Sequence, residues 1–303
     1  MKKIFILTLI SCFIAGFALA QETETTETKQ KNFDKKFRFG LKASPQPTWF
    51  KSSDANSKGS GANFGFGFGL MFDIRLSDII HFTTGLGGDF EGGYINYKYE
   101  PGVFSANVLM DKENKYVEAK DGVTKDNYEL TNGSTQYILA DRQYKTTHVT
   151  IPVLLKMMTQ EYSGLRYFFN FGGELGIRVA AKANDTYVSG VKTTITNSVV
   201  TSAFVAEDQL KASGIDIATD ASLVPMRVGM NIGFGTEYRL GGSTSLITSV
   251  SYFQSFTNLM RKESRFITKG ADNSYDPSTG YNFAQLNQGY FMRAIRINIG
   301  LMF

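Results

Sequence analysis

Histidine is the side chain most ready for proton transfer near neutral pH, and this chain carries only two, His81 and His148. Neither stands at a spacing from a serine, a cysteine or the other histidine that builds a nucleophile pair or a metal set. Asp141 precedes His148 on the same segment, but no third group orients the pair. The one cysteine, Cys12, lies in an apolar leader. No cofactor motif, metal set or catalytic constellation follows from these residues. The remaining charges speak through their phase. Asp73, Arg75, Lys156, Arg166, Glu174, Glu237, Arg239 and Arg296 each occupy an alternate position in a run whose other positions are apolar. Charges of both signs on one face of such runs suit a paired network in an enclosed interior, or an ion path.

The elements that must hold these charges are β-strands. "NFGFGFGLMFDIRLS" puts Phe64, Phe66, Phe68, Leu70, Phe72, Ile74 and Leu76 on one side, and glycines with Asp73 and Arg75 on the other. A period of two is a strand, because successive side chains point to opposite faces. This run is more than twice the usual length of about 5–6 residues, and its glycines would weaken an ordinary soluble strand. It suits a strand crossing a bilayer, with Phe64, Phe66, Phe68 and Phe72 facing lipid.

Seven further alternations accompany it. The first is Phe37–Ala43, ended by Pro45 and Pro47. The return from the Ser77-Asp78 turn runs Ile80–Phe90, with Tyr94, Tyr97 and Tyr99 at its far end. The others are Val149–Met157, Leu165–Lys182 with Arg178 and Lys182 on the charged face, Arg227–Arg239, Leu246–Phe256 and Ile295–Phe303. Polar segments at Glu100–Gln143, Ala183–Ser222 and Asn258–Gly289 read as long loops, and they alternate with short turns. An even strand count with alternating short turns and long loops predicts an all-β, eight-stranded antiparallel transmembrane barrel, with both termini and three short turns periplasmic and the long loops extracellular.

The rest of the chain fits that address. Met1–Ala20 has Lys2 and Lys3, an apolar core and a small-residue cleavage site, which predicts an export signal. Leu9-Ile10-Ser11-Cys12 is a rival lipidation box. Gln21–Lys36 is a polar, flexible periplasmic lead, and residues 37–303 form the barrel domain. With Lys2 and Lys3 removed, the 32 basic residues fall to 30 against 28 acidic ones, which gives no electrostatic reason to expect nucleic acid. A mature chain has no cysteine and hence no disulfide.

The strand motifs "FRFGLKAS", "HVTIPVLLKM", "FNFGGELGIRV", "VGMNIGFGTEYRL" and "AIRINIGLMF" resemble the PorT-like, "porin family" outer-membrane barrel proteins of Bacteroidota. The resemblance implies a fold and an outer-membrane location, and brings no catalytic motif. It also implies that the terminal Phe303 is a signal for the barrel-assembly machinery. On these grounds we expect a structural or surface-interaction protein acting through its long loops. The alternatives are a small-solute porin or secretion-associated barrel, resting on the inner-face glycines Gly65, Gly67 and Gly69, and an outer-membrane enzyme acting on lipid A or peptides, resting on His148. Outer-membrane lipid and lipopolysaccharide are the expected partners, along with an unidentified loop ligand or envelope protein, and Arg293 is the expected lipopolysaccharide contact at the outer rim. The lumen charges are expected to leave an excess of positive charge in the periplasmic half.

Overall fold

The computed structural model describes residues 35–101, 103–111, 113, 115–116, 134–188, 191–196, 199–204, 210–217, 223–261, 263–270, 275–276, 280–281 and 284–303. The export signal, Cys12 and nearly all of the Gln21–Lys36 lead lie outside these residues. Among the described residues there is no helix. Eight strands form the wall: β1 Phe37–Ser52, β2 Asn63–Arg75, β3 Ile80–Tyr97, β4 Ser134–Met158, β5 Leu165–Tyr187, β6 Met226–Gly241, β7 Thr244–Ser255 and β8 Tyr290–Met302. Each pairs antiparallel with the next, and β8 pairs back onto β1, with Gly40 opposite Met302 and Ser52 opposite Tyr290. The sheet therefore closes and leaves no free edge in the barrel.

The alternation sets what faces where. Phe64, Phe66 and Phe68 are exposed on the outside and Phe72 is half-exposed, while Gly65, Gly67 and Asp73 are buried inside. The inner-face glycines leave no channel. A Cβ on Gly67 would lie 2.2 Å from Asp89 Oδ1, and one on Gly65 would lie 2.4 Å from the Phe90 carbonyl oxygen. They are small because neighbouring strands and the Asp89 carboxylate already fill that space.

Three elements differ from the sequence reading. β1 does not stop at Ala43 but continues through both prolines to Ser52. Its ladder to β2 is unbroken from Phe37↔Ile74 to Thr48↔Asn63, whereas its ladder to β8 lapses between Ala43↔Ile299 and Thr48↔Ala294. Proline has no N–H to donate, so Pro45 and Pro47 interrupt one ladder and leave the other intact.

The long segments are also more than polar loops. β4 has 25 residues and β5 has 23, against the 9–11 or so that cross a bilayer. Their upper halves carry a further sheet. Ser105–Met110 pairs with β4 and with Glu263–Gly270, which in turn pairs with Ala284–Asn287. Val191–Thr196 joins the start of β4, and Lys211–Asp216 joins the end of β5. These pieces close over an apolar core that includes Phe50, Ile95, Tyr97, Phe104, Val108, Leu139, Ala183, Ile217, Leu259, Ile267, Leu286, Tyr290 and Met292.

Finally, Lys182 is exposed rather than inward. The β4–β5 register shifts between Thr147↔Ala180 and His148↔Arg178, so β5 carries one extra residue there. Such a bulge reverses the facing of everything beyond it. Ala181, Ala183 and Asp185 point inward in consequence.

Candidate functional site

The barrel interior is the most concentrated chemistry in the molecule, and it is organised in layers. Nearest the short turns, Arg38 on β1 donates from Nη2 to Asp73 Oδ2 at 2.6 Å and from Nη1 to Glu237 Oε1. Lys156 on β4 reaches the same two carboxylates, at 3.4 Å from Asp73 Oδ2 and 3.1 Å from Glu237 Oε2. His81 Nδ1 lies 3.3 Å from Asp73 Oδ2, and the Thr83 hydroxyl donates to Asp73 Oδ1 at 3.2 Å. Two cations meet two carboxylates here, all of them buried.

A cavity of about 60 Å³ separates this layer from the next. Its lining is half apolar, with Met71, Leu154, Phe168 and Met302, and half polar, with Lys42, Asn170, Asn231 and Asn298. Above it Arg227 and Arg296 lie against Phe253, at 4.5 and 4.8 Å from the ring centroid. Arg227 donates to Glu91 Oε2 at 2.6 Å and to Glu174 Oε1 at 3.0 Å. Arg296 donates to both oxygens of Glu174, to Glu91 Oε1 at 3.2 Å, to Asp89 Oδ2 at 3.3 Å, and from Nε to Gln46 Oε1 at 2.7 Å. His148 Nδ1 lies 3.4 Å from Glu91 Oε2 with the ring buried. Its place is inside this layer, away from solvent, so the histidine behind the enzyme alternative sits within a structural network.

A third layer joins the lumen to the apolar core above it. Arg142 forks onto Asp185 at 2.7 and 2.8 Å. The Tyr116 hydroxyl also donates to Asp185, and its ring lies under the Arg142 guanidinium at 4.8 Å. Burial raises the Tyr116 phenol above its ordinary value, outweighing the lowering effect of nearby Arg142, so it stays a donor.

Among the lysine, arginine and carboxylate side chains of the layers, six cations stand beside six carboxylates. Arg38 and Lys156 meet Asp73 and Glu237, Arg227 and Arg296 meet Asp89, Glu91 and Glu174, and Arg142 meets Asp185, while Lys42 lines the cavity between the first two layers. Of the charges singled out from sequence, the structure brings Asp73, Lys156 and Glu237 together, and Glu174 with Arg296. It sends the other three to the short-turn mouth. Arg75 pairs with Asp78 of the turn, while Arg166 and Arg239 share Glu161, at 3.5 and 2.9 Å. The cations behind the expected surplus in the periplasmic half thus lie at the mouth beside Asp78 and Glu161, and the layer above them sets Arg38 and Lys156 against Asp73 and Glu237. Asp89 and Glu91, with Arg227 and Arg296, form the next layer above.

The sequence carries a signal for most of these residues. Arg38, Lys42 and Arg227 stand on the charged faces already assigned to their strands. Asp89 and Glu91 fall inward once the outward set Phe82, Leu86, Phe90 is continued. Asp185 had none, because the bulge that turns it inward is invisible to a period-two reading. At the other end of the barrel Phe303 donates its N–H to the Phe39 carbonyl at 2.7 Å, and the two rings lie 5.6 Å apart.

A closed antiparallel barrel with an even strand count, an apolar exterior and an ion-paired interior defines a transmembrane β-barrel. The chain belongs to the outer membrane protein beta-barrel domain family, whose family model matches residues 19–261, and is an integral outer-membrane protein. No individual curated protein matches it. Among solved structures it is similar to neisserial surface protein A, at 9% identity over 87% of this chain and 95% of that one, with a TM-score of 0.32. Ail of Yersinia pestis is similar at 10% identity over 89% and 100%, TM-score 0.30, and OprG of Pseudomonas aeruginosa at 11% over 88% and 96%, TM-score 0.35. The fold assignment rests on the ladders and the family match.

Proposed function

We propose that this protein is an envelope-structural or surface-interaction barrel that presents its folded long-loop end outward and does not conduct. The observation that carries this reading is the doubly filled interior. Charge-balanced layers span the lumen, and an apolar core with Tyr290 and Phe50 lies across its upper end. An eight-stranded barrel leaves space inside only for side chains, and here those side chains are tied to one another. The strands of the upper sheet then supply the surface on which a partner acts. Within the family, "HVTIPVLLKM" and "AIRINIGLMF" support a PorT-like affiliation.

Planar-bilayer recording of the purified protein tests the reading. The wild type should show no steady conductance. Glu237→Gln leaves Arg38 and Lys156 sharing Asp73 alone, which loosens the lowest layer and admits water. That variant should show intermittent, weakly anion-selective openings. A long-lived open state in the wild type would replace the surface reading with a small-solute pore.

A further inference from the structure

The outer wall formed by β1 and β8 changes character at one level. Towards the short turns its outward residues on β8 are Ile295, Ile297, Ile299 and Leu301, all exposed and apolar. The next outward residue is Arg293, which pairs across the ladder with Trp49, and Lys51 follows Trp49 on the same face. From Phe303 to Arg293 a strand climbing about 3.3 Å per residue at a tilt near 40° rises roughly 25 Å, the height of the apolar band of outer-membrane barrels. Arg293 thus stands where hydrocarbon gives way to headgroups.

A groove of about 470 Å³ opens at that level, lined by Trp49, Lys51, Asp54, Lys58, Lys98 and Arg293. Different elements assemble it. Lys58 arrives on the short strand Ser57–Gly59, which pairs with the end of β3, and Lys98 follows β3 directly. Four cations meet one carboxylate, and Asp54 already accepts from the Asn56 N–H at 3.2 Å and the Ser57 hydroxyl at 3.3 Å. None of the four cations has an ion-pair partner among the described residues. Arg293 Nε is shielded from solvent yet has no hydrogen-bond acceptor. Gathering like charges beside a low-dielectric slab is unfavourable unless an anion offsets it. The donor set also indicates which anion. A guanidinium forks onto phosphate oxygens, ammonium groups on flexible stems reach several of them, and an indole settles at the membrane interface.

We propose that this groove binds the phosphate groups of a lipid A-type glycolipid of the outer leaflet, with the acyl chains lying along Ile295, Ile297 and Ile299. This deepens the expectation for Arg293 alone into a site built from three segments. It takes its choice of leaflet from the outward orientation of the long loops proposed above.

Trp49 is the only tryptophan in the chain, so its fluorescence reports on the groove without a label. The folded, full chain in detergent is titrated with bisphosphorylated lipid A and with the same lipid dephosphorylated. The phosphorylated form should change Trp49 emission and bind about tenfold more tightly, the gain expected of charge-assisted bonds to phosphate. The double variant Arg293→Gln, Lys51→Gln should lose that preference while keeping the heat-modifiable mobility of a folded barrel. Arg293→Lys should keep part of it. If the double variant does not fold, Lys98→Gln alone is measured and should lower the preference about threefold, a fraction of the whole-site gain. Equal binding of the two lipids by the wild type, or an undiminished preference in the variants, would overturn the proposal. So would full displacement by millimolar inorganic phosphate, which would make the site one for free anions. Detergent binding is blind to leaflet, so a failed orientation would leave this result standing.

Discussion

The molecule has two interiors stacked along the same strands, and they are built on opposite principles. Inside the barrel the buried groups are mainly arginines, carboxylates, a lysine and two histidines, with Phe253 and a small cluster of Met158, Phe168, Ile247 and Met302 among them. Under the long loops they are mainly phenylalanine, tyrosine, isoleucine, leucine and methionine. The reason is the solvent outside. A strand has two faces. Where the outer face meets lipid it takes the apolar residues, and the inner face is left with the polar ones. Where the outer face meets water the assignment reverses. β3 shows both regimes, with Phe82, Leu86 and Phe90 outward in its lower part and Ile95 and Tyr97 inward in its upper part. β5 does the same, with Ile177 and Val179 outward and Ala183 and Tyr187 inward.

If the two interiors are as different as this, they should fail differently. The largest effect is expected in the lumen. Arg296→Ala strands Asp89, Glu91 and Glu174 against a single remaining arginine, and removing one partner of a buried ion pair costs about 3–5 kcal/mol. Urea titration of the refolded barrel should show that loss in the global transition. A variant as stable as the wild type would mean the layers are incidental to folding.

The joint between the interiors comes next. Tyr116→Phe deletes the hydroxyl that donates to Asp185, and a hydrogen bond to a charged group is worth about 1.5–3 kcal/mol. The loss should be read as faster hydrogen exchange in Ser105–Met110 and its neighbours, with the barrel strands unchanged. Exchange rising equally in β2 and β7 would show that the two interiors unfold as one unit. The smallest effect is in the upper core. Ile267 is 1% exposed, and Ile267→Val should cost about 0.5–1.5 kcal/mol for the lost methylene. It should raise protease sensitivity in the upper sheet and leave the urea midpoint of the barrel in place.

The two strands that invert also explain what sequence can and cannot reveal. On β3 the apolar positions change parity between Phe90 and Ile95, so a reader following the alternation meets the inversion directly. On β5 the odd positions stay mostly apolar from Leu165 to Tyr187, Gly173 and Asp185 apart, and the extra residue at the bulge performs the inversion in the backbone. The run of apolar residues does not announce it, so a period-two reading turns Lys182 inward and Asp185 outward, the reverse of what the structure shows. The barrel itself was legible because membrane strands carry their environment in every second residue. The upper core was not, because its apolar residues are scattered through segments whose mean character is polar. The partners of the lumen charges were half legible. Phase names the residues that face inward, but which cation meets which carboxylate depends on the stagger between strands far apart in sequence.

The lapse in the β1–β8 ladder has a kinetic meaning. Every other wall ladder joins strands that follow one another along the chain, so each can form as the hairpins accumulate. The β1–β8 ladder joins the first strand to the last and must wait for all of them, bearing the largest loop-closure entropy in the molecule. Pro45 and Pro47 ensure that this final seam also has gaps in the middle. A zipper that closes last and holds with fewest teeth is where a nascent barrel stays open longest.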